Sequence, residues 1–142
     1  MARTNLLQQA IPYAPLKIAA LESCRDLGQK VNDYIVQFRH EESQECPQSA
    51  AFANYRLDNY LLDTACPRFG SGEAKGVIKE SIRGKDLYVM VDVCNYSLTY
   101  SLNGLPNHMS PDDHYQDLKR IISAATGKAR RINVIMPFLY ES

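Results

Sequence analysis

Two stretches of this chain put residue types that can do chemistry close together. Glu80-Ser81-Ile82-Arg83-Gly84-Lys85-Asp86 gathers a hydroxyl, a guanidinium, an ammonium and two carboxylates directly ahead of an apolar run from Leu87 to Val93. A charged loop of this kind either belongs to a ligand site or is a solvated turn, in which Gly84 permits a positive φ and Arg83 faces water. His40, Glu41, Glu42 and Cys46 are potential metal donors, yet their polar surroundings favour a solvated loop. The cysteines Cys24, Cys46, Cys66 and Cys94 are widely spaced, with no Cys-x-x-Cys pair. They read as free or structural thiols rather than zinc ligands or a disulfide framework.

The elements that must position these residues follow from pattern. The chain has 142 residues, which suits one domain with a single core. Its 16 basic and 16 acidic residues cancel, so any anion must be bound locally, and neither nucleic acid nor an anionic membrane is an expected partner. No apolar run approaches the roughly 18 residues that span a bilayer, and the first residues lack a signal-peptide pattern. A cytoplasmic protein is expected.

Leu16 to Leu21 is a short strand-compatible run. Ser23 to Phe38 has helical spacing through Leu27, Val31, Tyr34, Ile35 and Phe38, with Ser23 as the expected N-cap. Residues 39–50 read as loop, and residues 50–63 as a second amphipathic helix. Ser110-Pro111-Asp112-Asp113 offers an N-cap, a proline at the first helical position and acids in the first turn. Tyr115, Leu118, Ile121, Ile122 and Ala125 then form one apolar face, and Gly127 stops the helix. Arg130 to Tyr140 starts as a strand and runs into Pro137. Strands separated by helices at this spacing predict βαβ units and a mainly parallel sheet, with Leu87 to Val93 as a central strand covered on both faces. Val77, Ile78 and Ile82 lead into the charged turn as a hairpin. In open α/β sheets ligands collect outside the carboxyl ends of the strands, where charged loops usually belong to the site.

The segment "RFGSGEAKGVIKESIRGKDLYVMVD" resembles the N-terminal region of phosphoribosyl pyrophosphate synthetases, the ribose-phosphate diphosphokinases. "LKIAALESCRDLGQKVNDYI" is similar to that family's opening strand and helix, and "DDHYQDLKRIISAATGKARRINVIMPFLY" to a later helix and strand. The resemblance spans residues 16–140, with insertions at about 37–64 and 95–109. Val91-Asp92 stands where the family has Gln-Ser. The resemblance implies an α/β, phosphoribosyltransferase-like fold, a mainly parallel sheet with helices on both faces and a protruding β-hairpin.

It also implies an activity. Members transfer a pyrophosphoryl group from Mg-ATP to the 1-hydroxyl of ribose 5-phosphate, assemble as homo-oligomers and carry two such domains per subunit. By resemblance, Phe69 stacks on adenine while Ser71 and Glu73 hydrogen-bond it; Ser71 replaces the usual Asp or Asn. Ser81 and Arg83 match positions of a regulatory phosphate site. The catalytic loop, the metal-binding residues and the C-terminal domain fall beyond Ser142, so no catalytic or metal-binding residue is expected in this chain. It is expected to be inactive alone, with Mg²⁺ and ATP as cofactors of a longer parent and neither tightly bound to this chain by itself. The alternative is a catalytically silent homologue acting as a regulatory or binding subunit.

Overall fold

The computed structural model describes residues 13–45 and 57–141, and the side chains of all of these except 42–45. Three parallel strands form the central sheet, in the order β1 (Leu16–Ala20), β4 (Asp86–Met90), β7 (Arg131–Ile135). Leu16 faces Asp86, which faces Arg131, so the amino ends of all three strands are level. Short hairpin strands lie between them in sequence: β2 (Thr64–Ala65), β3 (Val77–Ile78), β5 (Thr99–Leu102) and β6 (Leu105–His108). Among the described residues, two α-helices complete the fold, α1 (Arg25–Glu45) and α2 (Pro111–Ala125).

The expected central strand is β4, and its side chains alternate between two cores. Leu87 and Val89, both fully buried, join Ala19, Leu118 and Ile121 on the α2 face. Met90 joins Ile18, Cys24 and Tyr60 on the other face, against Val31 and Ile35 of α1. Each such aliphatic side chain contributes roughly 1.5–3 kcal/mol by leaving water. Helices therefore cover both faces of a mainly parallel sheet, as the sequence predicts.

Helix α1 departs from expectation in two ways. Ser23 does not cap it: Ser23 sits in a 3-10 turn (Glu22–Cys24), and its hydroxyl accepts from the Asp92 N–H at 3.1 Å. The helix is also rotated. Gly28, Asn32 and partly Val31, Ile35 and Val36 face inward, while Leu27, Tyr34 and Phe38 are exposed. The reason lies in Gly28, where an added Cβ would stand 2.3 Å from that of Ala20; only a glycine lets the helix approach β1 so closely. The helix continues through 39–45, expected as loop, because those residues include neither Gly nor Pro.

The second helix expected over 50–63 is not present in its described part, residues 57–63; residues 50–56 lie outside the described residues. Tyr60 to Leu62 instead extends the sheet beyond β1. Ile18 N–H donates to the Tyr60 carbonyl at 2.9 Å, and Leu62 N–H to the Ile18 carbonyl at 2.8 Å. Asn32 of α1 secures the segment by accepting from the Tyr60 N–H at 2.7 Å.

Helix α2 matches expectation. Ser110 Oγ accepts from the Asp113 N–H at 3.2 Å, and the Asp113 carboxylate accepts from the Ser110 N–H at 2.9 Å, a complete capping box. Gly127 takes φ +77° just past its end. Among the described residues no helix is long and apolar enough to cross a membrane.

A charged lock closes the amino end of the sheet. Asp86 is buried and accepts from Arg131 Nε at 2.8 Å, from Arg131 Nη2 and from Asn133 Nδ2 at 2.9 Å. The Arg131 hydrogen bonds hold its carboxyl below the ordinary carboxylate range against the opposing effect of burial. A depressed folded pKa adds stability that is complete above the unfolded value, near 3.9, and is lost as pH falls through the folded one. Asp86→Asn is therefore expected to cost roughly 1.5–3 kcal/mol at neutral pH and to flatten the loss of melting temperature below about pH 4. Parallel acid-melting curves for the two proteins would count against the lock.

Candidate functional site

The short strands β2 and β3 pair antiparallel, Thr64 with Ile78 and Ala65 with Val77, and an Arg68–Ala74 bridge carries the hairpin outward. At its tip the Phe69 N–H donates to the Glu73 carbonyl at 2.7 Å, and the Gly72 N–H donates to the Phe69 carbonyl at 2.9 Å. Gly72 sits at φ +89°, a conformation that favours glycine. Phe69 is half exposed and joins neither hydrophobic cluster of the described residues, so the backbone turn sets its place. Ser71 Oγ lies 3.4 Å from both the Glu73 N–H and Glu73 Oε2. The hairpin thus brings Phe69, Ser71 and Glu73 onto one tip, offering an aromatic face beside a hydroxyl and a carboxylate.

Ser81 and Arg83 stand elsewhere, and the turn that carries them is not the hairpin expected from sequence. β3 pairs with β2, while β4 pairs in parallel with β1 and β7, so the charged turn is a connection into the sheet. It also lies at the amino end of β4, not at the carboxyl ends where the general rule would put a site. The Gly84 N–H donates to the Lys128 carbonyl at 3.0 Å, with Gly84 at φ +70°, and buried Ile82 anchors the turn. Ser81 and Arg83 are exposed on the rim of a cavity of about 340 Å³ that also meets Lys75 and Lys128. The nearby carboxylate of Glu80 is engaged by Lys17 at 3.3 Å. Cationic groups therefore outnumber free anionic ones around this cavity, which suits an anion.

Sequence reasoning missed Arg68, the residue before Phe69. Its side chain is 12% exposed, Nη1 is 3.5 Å from Asp113 Oδ1 and Nη2 is 3.7 Å from Asp117 Oδ2. Nη2 is enclosed and makes no hydrogen bond among the described residues. Its guanidinium lies 4.5 Å from the centre of the Tyr100 ring. A cavity of about 310 Å³ opens beside this group, lined also by Leu21, Cys66 and His114. The Asp113-x-x-x-Asp117 spacing on α2 was visible in the sequence, but nothing there tied it to an arginine so far away.

Cys66 and Cys24 are not poised nucleophiles. Burial, aided by Asp117, pushes the Cys66 thiol up to about 12, and burial with Asp92 pushes Cys24 to about 11. His40 faces Asp58 at 3.8 Å, and Cys46 lies outside the described residues. Among the described residues no group of three or more His, Cys, Asp or Glu is placed to hold a metal ion.

The chain matches a known family. A family model described as the N-terminal domain of ribose phosphate pyrophosphokinase covers residues 16–142. No curated protein matches the chain.

Proposed function

The chain belongs to the family of ribose phosphate pyrophosphokinase N-terminal domains, and from that premise we propose that its task is to hold the adenine of ATP on the β2–β3 tip. The observation that carries this is the half-exposed Phe69 ring, held out by two backbone hydrogen bonds with Ser71 and Glu73 beside it. An aromatic face stacks on a base, and a carboxylate accepts from an exocyclic amine. In a longer parent that assembles as a homo-oligomer, the tip would serve transfer of the pyrophosphoryl group from ATP to ribose 5-phosphate, in nucleotide biosynthesis.

The described residues offer no cage for Mg²⁺. The ion would arrive with the nucleotide's phosphates. Ser81 and Arg83, with Lys75 and Lys128 around the same cavity, form the regulatory phosphate site, for which a forked guanidinium is well suited.

Base selectivity tests the first part. GTP presents a carbonyl oxygen where ATP presents its 6-amino group, so the Glu73 carboxylate accepts from one and repels the other. Equilibrium binding to the 142-residue chain is expected to favour ATP over GTP by about tenfold or more. Equal affinities would remove Glu73 from base recognition, and no detectable binding of either would overturn the proposal.

A further inference from the structure

The tip of the β2–β3 hairpin is held by more than its own strands, which pair at only two positions plus one bridge. A ribbon with so little pairing is marginal by itself. Arg68 supplies the missing restraint. Its Nη1 reaches back to the Gly72 carbonyl at 3.4 Å, spanning the tip, while the same guanidinium faces Asp113 and Asp117 of α2. Tyr100 of β5 closes the other side of that guanidinium, 4.5 Å from ring centre to Cζ. Leu102, two residues along β5, stands behind the tip, its Cδ1 3.7 Å from where a Cβ on Gly72 would be.

The element that carries Tyr100 is itself well fixed. Strands β5 and β6 close through Asn103 at φ +52° and Gly104 at φ +78°, both in the left-handed region, as a tight two-residue hairpin requires. At its base, buried His114 of α2 donates through Nε2 to the Asn95 carbonyl at 2.7 Å, and Asn95 Nδ2 donates to the Ser23 carbonyl at 3.1 Å. Tyr96 stacks on His108 with ring centres 4.7 Å apart. This segment is the insertion at 95–109, for which the sequence offers no role.

We propose that Tyr100 is a positioning residue for the nucleobase site: its ring clamps Arg68, and through Arg68 it sets Phe69 to Glu73 before a nucleotide arrives. The inference rests on the reading of the tip as base-holding. Tyr100 need not touch the nucleotide, because ordering the tip in advance removes part of the cost of ordering it on binding. The ring face does this through the guanidinium, so the hydroxyl is dispensable and the π face is not.

The chain contains no tryptophan, so Phe69→Trp places a single indole emitter at the tip. In that background Tyr100→Leu, which keeps apolar bulk and loses the π face, is expected to lower the anisotropy of the indole emission, raise its quenching by acrylamide and weaken ATP binding about three- to tenfold. Tyr100→Phe is expected to restore all three. Indole mobility unchanged in Tyr100→Leu overturns the proposal, as does a Tyr100→Phe that behaves like Tyr100→Leu. Should Tyr100→Leu fail to fold, Tyr100→Met carries the same comparison. If the indole is freed in Tyr100→Leu but ATP binds neither protein, the clamp stands and the base-holding reading falls.

Discussion

Gly76→Ala is expected to lower the melting temperature by roughly 10 °C, the shift that a loss of about 3 kcal/mol brings in a domain of this size. Gly76 leads into β3, where the hairpin base crosses α2. A Cβ there would lie 2.5 Å from the Arg120 carbonyl oxygen and 2.6 Å from its carbon. Both atoms are helix backbone, so neither can swing aside as a side chain would. Hairpin and helix must then part, and overpacking of this kind costs about 1–3 kcal/mol or more. Gly70→Ala is the control: an added Cβ meets nothing within 4 Å, and its φ is not positive. Its melting temperature should barely move. Equal behaviour of the two variants would mean that the hairpin does not rest on α2 as described.

Phe69→Ala has the largest expected effect on binding. Stacking of a base on an aromatic side chain is worth about 1–3 kcal/mol by alanine substitution, so ATP affinity should fall roughly five- to hundredfold. The half-exposed ring contributes little to the core, and stability should stay within about 0.5 kcal/mol. Phe69→Tyr, which retains the ring, should bind close to the parent. The pairing of a large binding loss with an unchanged fold separates a ligand-facing aromatic from one that merely packs. ATP affinity unaffected by Phe69→Ala would assign the ring to packing or to a surface without a nucleotide.

The parts of this fold that were legible in the sequence are those whose signal is local. Ser110, Pro111 and Asp113 announce the start of α2 because capping is decided within four residues, and Leu87 to Val93 announces a buried strand because the run is almost continuously apolar. The rotation of α1 was not legible. Leu27, Tyr34 and Phe38 fit a helical stripe as well as Val31 and Ile35 do, and only the close approach of Gly28 to Ala20 chooses between the faces. Tyr60, Leu61 and Leu62 were ambiguous in the same way, since a short apolar run satisfies either period until a neighbouring strand claims it. Asn103-Gly104 between Leu102 and Leu105 is a local hairpin signal, and the structure closes β5 and β6 there. Of the candidate site, Phe69, Ser71 and Glu73 were singled out by the family resemblance, and their closeness in sequence puts them on one turn. Arg68 with Asp113, Asp117 and Tyr100 did not, because those partners meet only once the chain has folded.

Mapping backbone amide shifts by NMR, while the 142-residue chain is titrated with ATP and separately with inorganic phosphate, tests the central claim most directly. ATP is predicted to move the amides of Phe69 to Glu73 most, and phosphate those of Ser81 to Gly84. A response to ATP centred on Glu22 to Arg25 and Asp92 to Asn95, with the hairpin tip unmoved, would contradict it and return the site to the carboxyl ends of the strands.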